Sequence, residues 1–112
     1  MGPEPDGVAE RFANFRRICE QSGRDPAQVR LSTTLPVCCG ATRAEATRRA
    51  EALGEHGLRM LRMGVTGDPA DVTRRLAELA EAGADTVYCH LYDAADTDHI
   101  RLLGRHVLPQ LT

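Results

Sequence analysis

The loop Thr66-Gly67-Asp68 precedes a predicted helix start and is the stretch most suited to binding an anion. Free backbone amides in the first turn of a helix and the positive end of the helix dipole both favour a phosphate group. The carboxylate of Asp68 would repel that phosphate, so an ordinary capped loop is the simpler alternative. We predict a phosphate contact at Thr66 and Gly67 and keep the capped loop as the alternative.

His90 lies between Tyr88 and Tyr92 on one face of a predicted strand. Histidine changes its protonation near neutral pH, so its imidazole can donate a hydrogen bond or a proton to a bound molecule. The alternative is that His90 packs beneath helices and makes one hydrogen bond. The remaining histidines are expected at the surface, in helices or turns: His56, His99 and His106.

Four cysteines stand at positions 19, 38, 39 and 89. Adjacent Cys38 and Cys39 point to opposite faces of a strand, and no C-x-x-C pair occurs, so convergence on a zinc ion is not expected. We expect all four to be reduced and buried. The sequence also lacks a Walker glycine loop and a G-x-G-x-x-G motif, and it shows no Ser-His-Asp or Cys-His pair at a nucleophile-like location. No catalytic residue and no metal ligand is therefore predicted.

The remaining charged residues have simpler explanations. The net charge of −2 predicts attraction neither to nucleic acid nor to a membrane surface. No apolar run approaches the ~20 residues that cross a bilayer, and the N-terminus does not resemble a signal peptide, so we expect a cytoplasmic protein. The expected helix-surface pairs are Arg48-Arg49 and Arg74-Arg75, and the expected turn or capping residues are Asp93, Asp96 and Asp98.

Alternating helices and strands must position these residues. The apolar period predicts a helix over 7–22, a strand over 29–39 that ends or bulges near Pro36, and a helix over 42–53. Residues 55–65 fit neither period clearly. A helix that begins after Asp68 and ends at Gly83 leads directly into a strand over 86–92, which is apolar on both faces and therefore expected to be covered on both. A last helix, capped by Asp96 or Thr97, is expected to bury Ile100, Leu103 and Val107.

The order and spacing of these segments resemble the C-terminal end of luciferase-like flavin monooxygenases and of their relatives that use a deazaflavin coenzyme. Three phrases carry the resemblance: GDPADV at 67–72, AGAD at 82–85 and VLP at 107–109. In that family they open a helix, turn into the final strand and end the last helix. The upstream stretch ICEQSGRDPAQVRLSTTLPV at 18–37 is similar to the family's preceding helix, turn and strand.

The resemblance implies an α/β fold that is the C-terminal portion of a TIM-like (β/α)8 barrel, with residues 1–112 as a single partial domain, incomplete on its own. It implies FMN or the deazaflavin coenzyme F-420 at the C-terminal mouth of the strands, with Thr66, Gly67 and His90 as candidate contacts. The function would be that of a monooxygenase or deazaflavin-dependent reductase, inactive as this chain alone, with the flavin and the missing barrel half as partners. The alternative is a non-catalytic remnant or small α/β interaction domain that pairs with a second copy of itself.

Overall fold

A computed structural model describes the backbone of residues 5–111 and the side chains of residues 7–111. Helices and strands alternate along this range, as the sequence predicts, and two short 3-10 turns follow α1 and α5. In chain order the elements are α1 (Pro5–Gln21), β1 (Ser32–Cys39), α2 (Arg43–Glu51), α3 (Gly54–Leu61), β2 (Val65–Gly67), α4 (Pro69–Glu81), β3 (Thr86–His90) and α5 (Thr97–His106).

The three strands form one parallel sheet in the order β2-β1-β3. The central strand β1 uses its two halves differently. Its first five residues, Ser32–Pro36, pair with β3, whereas its last three, Val37–Cys39, pair with β2 on the other side. The carboxyl end of β1 therefore has a strand neighbour on one side only.

Helices cover both faces of β1 at its carboxyl end, where Val37, Cys38 and Cys39 are buried. Leu35, Val37 and Cys39 point to one face, where they pack with buried residues of α1, α4 and the end of α5. Cys38 points to the other face and packs with Ala50 of α2 and Leu61 of α3. Burial on both faces is the arrangement expected for a parallel sheet, and it places the end of β1 between two helical layers.

The sequence predicts that β1 ends or bulges near Pro36, and this prediction is wrong. The strand continues through Pro36 to Cys39. The backbone N–H and C=O groups of successive β1 residues point alternately towards β3 and towards β2. At Pro36 the direction is towards β2, and the pairing with β2 starts only at Val37. The missing N–H of proline therefore costs the sheet no ladder hydrogen bond.

The expectation that β3 is covered on both faces is also wrong. Tyr88, Cys89 and His90 are exposed, and Tyr88 is 62% accessible. β1 is the only strand beside β3 in the described part of the chain, so one edge of β3 is unpaired. Paired residues of parallel strands share a face, so the exposed Ser32, Thr34, Tyr88 and His90 form one uncovered surface, which we call the open face.

Helix α4 begins after Asp68 and ends just before Gly83, as the sequence predicts. Asp68 is the N-cap, Pro69 occupies the first turn, and Asp71 completes a capping box with Asp68. Gly83, just past the helix end, has a φ of 114°, a conformation that glycine adopts without strain. Within the predicted apolar stripe of α5, Ile100 lies at the surface instead.

The ambiguous stretch 55–65 contains α3 and leads into the short strand β2. No helix in the described part of the chain is both long enough and apolar enough to cross a membrane.

Candidate functional site

The last residue of β1, Cys39, has backbone groups that no strand within residues 5–111 satisfies. Strand residues direct their N–H and C=O groups alternately to the two sides, and the Gly40 amide donates to the Gly67 carbonyl on the β2 side at 3.0 Å. The groups of Cys39 therefore face the side that β3 does not reach. There the Cys39 amide donates to Nε2 of His99 at 2.9 Å, and Nη1 of Arg49 donates to the Cys39 carbonyl oxygen at 2.8 Å. Two side chains replace the absent strand.

Asp96 links residues Arg49 and His99 into one network. Its Oδ2 accepts from Nε of Arg49 at 2.7 Å, and its Oδ1 accepts the backbone amide of His99 at 3.1 Å, which makes Asp96 the N-cap of α5. The Arg49 guanidinium also lies 3.6 Å from Oε1 of Glu45. The network thus holds α2 and the start of α5 against the end of β1, and we refer to Cys39, Arg49, Asp96 and His99 as the strand-end network.

An open cleft of about 330 Å³ adjoins the strand-end network. This volume falls near the lower limit of roughly 300–1,000 Å³ for small-molecule sites. Two larger hollows, of about 440 and 430 Å³, contain only exposed titratable groups, whereas this cleft contains the buried His99. Its lining is Val37, Cys38, Glu45, Arg48, Arg49, Ala52, Leu53, Tyr92, Asp93, Asp96 and His99.

The charge states of the network follow from burial and pairing. Burial lowers the pKa of His99, and the positive charge of Arg49 lowers it further, against the opposing effect of Asp96 and Asp93. The imidazole is therefore neutral at pH 7; because Nε2 accepts a hydrogen bond, its proton is on Nδ1. The hydrogen bond between Arg49 and Asp96 lowers the pKa of the carboxyl and raises that of the guanidinium, so this pair is ionised.

The cysteines do not supply a nucleophile at this site. Burial raises the pKa of the Cys38 thiol, and burial together with the charge of Asp68 raises the pKa of Cys39 to about 11. Both thiols are therefore protonated at neutral pH and unreactive. All four cysteines are free, but the expectation of burial is wrong for Cys89, which is exposed on β3. The described residues contain no cluster of three or more side chains able to hold a metal ion.

Thr66 and Gly67 lie on β2, away from the strand-end network. Thr66 is exposed and contributes to a separate hollow between α2 and α3. Gly67 is buried, and a Cβ atom there would overlap the Asp71 carboxylate, so the glycine makes room for the helix cap. β2 and β3 flank β1 on opposite sides, and Thr66 and His90 pair with β1 residues two positions apart, which separates them by roughly 12 Å.

Two carboxylates already occupy the start of α4. Oδ1 of Asp68 accepts the Asp71 amide at 2.9 Å, and Oδ2 of Asp71 accepts the Asp68 amide at 3.1 Å. Arg43 donates two hydrogen bonds of 2.9 Å to Asp71 and holds the pKa of that carboxyl well below its usual range. A phosphate at Thr66 and Gly67 would compete with these groups for the helix dipole; the phosphate contact stays a prediction.

His90 adjoins the cleft. Its ring stacks on Tyr92 with centroids 4.2 Å apart and planes inclined by 20°, and Tyr92 lines the cleft. The alternative of burial beneath helices is wrong, because His90 is exposed on the open face. Its contact with a cofactor stays a prediction.

The sequence analysis does not predict the two residues whose side chains bind the backbone of Cys39 at the end of β1. It predicts His99 and Arg49 at helix surfaces, yet His99 is 4% exposed and the Arg49 side chain is 16% exposed. A signal for His99 was present: it precedes Leu103 and Val107 by four and eight residues and so belongs to the apolar stripe of α5. Arg49 likewise follows the buried Ala46 by three residues.

Two solved structures resemble this fold over almost its whole length. The monooxygenase RslO1 from Streptomyces bottropensis is 16% identical, with a TM-score of 0.72 over 96% of the chain. The coenzyme F-420-dependent tetrahydromethanopterin reductase from Methanopyrus kandleri is 14% identical, with a TM-score of 0.67 over 98%. The chain spans 39% and 44% of their respective lengths.

At this identity the likeness establishes the fold alone, and it supports the luciferase-like resemblance at that level. No protein-family model and no curated protein sequence matches the chain.

Proposed function

We propose that the chain is the C-terminal part of a luciferase-like oxidoreductase, a monooxygenase or a deazaflavin-dependent reductase, and that it is inactive alone. The observation that carries the proposal is the fold likeness to a monooxygenase and to a coenzyme F-420-dependent reductase over 96% and 98% of the chain. The barrel architecture, the cytoplasmic location and the choice between FMN and deazaflavin belong to the same proposal.

The uncovered surfaces of the sheet support an incomplete barrel. A strand edge exposes unpaired N–H and C=O groups, and natural proteins protect such edges with charge, proline or a covering element. β3 contains none of the charged residues or prolines that serve this purpose, and its open face is not packed. Further parallel strands beside β3 would satisfy the edge and enclose the open face, which would then line the barrel interior.

The residues fit a flavin in part. His90 and Tyr92 provide a flat stacked surface next to the cleft, suited to contact with a planar ring. The start of α4 carries its own carboxylates, so a cofactor phosphate would need donors from another part of the protein. When bound, a flavin or deazaflavin would supply the hydride or oxygen chemistry, while the chain would orient it.

The test measures flavin binding by the chain and by any in-frame upstream continuation of its coding DNA. FMN and coenzyme F-420 are titrated while fluorescence quenching is followed. We expect weak quenching or none with residues 1–112 and saturable quenching with a continued chain. We expect His90→Ala to weaken binding, whereas His106→Ala, at an exposed position of α5, serves as the matched control. A continued chain that leaves both cofactors unbound would refute the proposal.

A second candidate is a non-catalytic domain that self-associates. The unpaired edge of β3 favours it, because an edge without charges can pair with the same edge of another copy. Light scattering after size-exclusion chromatography tests this candidate. We expect a dimer that Tyr88→Lys dissociates, whereas Ile100→Lys, at a comparably exposed apolar position of α5, leaves it intact. A stable monomer with a cooperative melt contradicts self-association.

A further inference from the structure

We infer that the cleft beside the strand-end network binds a small zwitterion, of which an apolar α-amino acid is the simplest example. The inference rests on the cleft alone and holds with or without the oxidoreductase proposal. It depends on which polar groups of the lining are already engaged within the protein and which are left for a ligand.

Most charged groups of the lining are already engaged. Arg49 pairs with Asp96 and binds the Cys39 carbonyl oxygen. Oε2 of Glu45 accepts the amide of Ala41, and its Oε1 faces Arg49. These groups hold the walls of the cleft together and are not free to bind a ligand.

Two opposite charges are left. Among residues 5–111 no hydrogen bond or ion pair engages the Arg48 guanidinium, which extends from α2. Asp93, in the loop after β3, uses Oδ1 to accept the Ala95 amide and has no cationic partner in the described part of the chain. Arg48 and Asp93 line the same cleft without forming an ion pair with each other. A carboxylate suits the guanidinium, and an ammonium suits the carboxylate.

The rest of the lining suits a short apolar side chain. Val37, Ala52 and Leu53 contribute apolar surface. The neutral His99 carries its proton on Nδ1, so the buried wall adds a donor for a ligand oxygen without adding charge. An anion alone would contact only Arg48 and a cation alone only Asp93, whereas a zwitterion contacts both.

The experiment compares three probes on the purified chain, without any flavin. L-leucine has both charges, leucinamide lacks the carboxylate, and 4-methylpentanoate lacks the ammonium. Dissociation constants come from amide chemical shifts in NMR titrations. Since each charged contact contributes a charge-assisted hydrogen bond, we expect L-leucine to bind about tenfold more tightly than either analogue. The shifted amides should be those of the cleft, including Cys38 and Leu53.

Substitutions at two exposed positions test which charge of the ligand each residue binds. Arg48→Gln should abolish the advantage of L-leucine over leucinamide, and Asp93→Asn should abolish its advantage over 4-methylpentanoate. Asparagine keeps an oxygen that can accept the Ala95 amide, so the loop is preserved. Arg105→Gln, at an exposed position of α5 outside the cleft, is the control.

Three results would overturn the inference: L-leucine leaves the cleft amides unshifted at millimolar concentration, the three probes bind equally, or Arg105→Gln weakens binding as much as Arg48→Gln does. Because no flavin is present, each of these results leaves the oxidoreductase proposal untouched.

Discussion

Replacing His99 with leucine removes the acceptor for the Cys39 amide and fills the same space with an apolar side chain. Cys39 is fully buried, and its N–H faces the side of β1 where β3 has ended. Leucine has no acceptor atom to replace Nε2. The Cys39 amide would therefore have no hydrogen-bond acceptor, whereas Asp96 would still accept the backbone amide of residue 99 and cap α5.

The expected loss is the cost of one buried donor without a partner, about 1–3 kcal/mol in the free energy of unfolding. In urea, with a slope of roughly 1–3 kcal/mol/M, a loss of about 2 kcal/mol lowers the midpoint by about 1 M. His99→Gln is the matched control because its side-chain oxygen can accept the Cys39 amide. We expect His99→Gln to retain more of the stability than His99→Leu.

The same substitution tests the charge state of His99. The pKa of His99 in the folded protein lies below its ordinary value of 6.5, chiefly because the ring is buried. As the pH falls below about 6.5, the unfolded chain takes up a proton that the folded protein resists, so stability is fully present above this pH and is lost as the pH falls through the folded pKa. Both His99 variants should lack this part of the pH dependence.

Urea unfolding followed by circular dichroism, at several pH values between 5 and 8, measures both effects. If His99→Leu unfolds at the same urea concentration as the unsubstituted chain at pH 7.5, the strand-end network does not hold β1 as we describe. If the pH dependence survives in both variants, the neutral buried imidazole is not its source.

The remaining predictions use the same assay. Arg49→Met should cost about 2 kcal/mol because it removes charge-assisted hydrogen bonds to Asp96 and to a β1 carbonyl, and Arg49→Lys should not restore them, since one ammonium cannot replace the two nitrogens. Leu79→Ala, at a position 1% exposed in α4, should cost about 2–5 kcal/mol. Gly40→Ala should destabilise strongly because its Cβ would overlap α2 backbone, whereas Gly104→Ala, with no atom near its Cβ, should stabilise α5 by about 0.5–1 kcal/mol. Equal effects of the two glycine substitutions would contradict the packing around Gly40.

The sequence predicts helix α4 well because every signal for it is local. Asp68, Pro69 and Asp71 act within one turn, and Gly83 ends the helix through its own backbone conformation. The parallel α/β fold follows from the alternation of such segments. The strand β2, with three residues, is too short to show a period of two, and only its pairing with β1 defines it.

The candidate site was harder to predict because its residues depend on long-range contacts. His99 and Cys39 are 60 residues apart, and Arg49 and Asp96 are 47 apart. Charged or polar residues in helices are usually solvated, so the correct prediction required knowing that β3 ends before β1 does. The exposure of β3 has the same origin: its apolar residues predict a cover, but only the rest of the fold decides whether one is present.

The difference in length between β1 and β3 connects these observations. A parallel strand that extends beyond its neighbour leaves an amide and a carbonyl unpaired. Burying these two groups without hydrogen-bond partners would cost several kcal/mol. Here a neutral imidazole and a guanidinium satisfy them. Asp96 accepts from that guanidinium and from the backbone amide of His99, and it also begins α5. The cleft lies between α2, the end of β1 and the loop that leads into α5. The strand-end network is thus a requirement of the sheet that also positions the loop with Tyr92 and Asp93, so a substitution that weakens it should alter ligand contacts as well as stability.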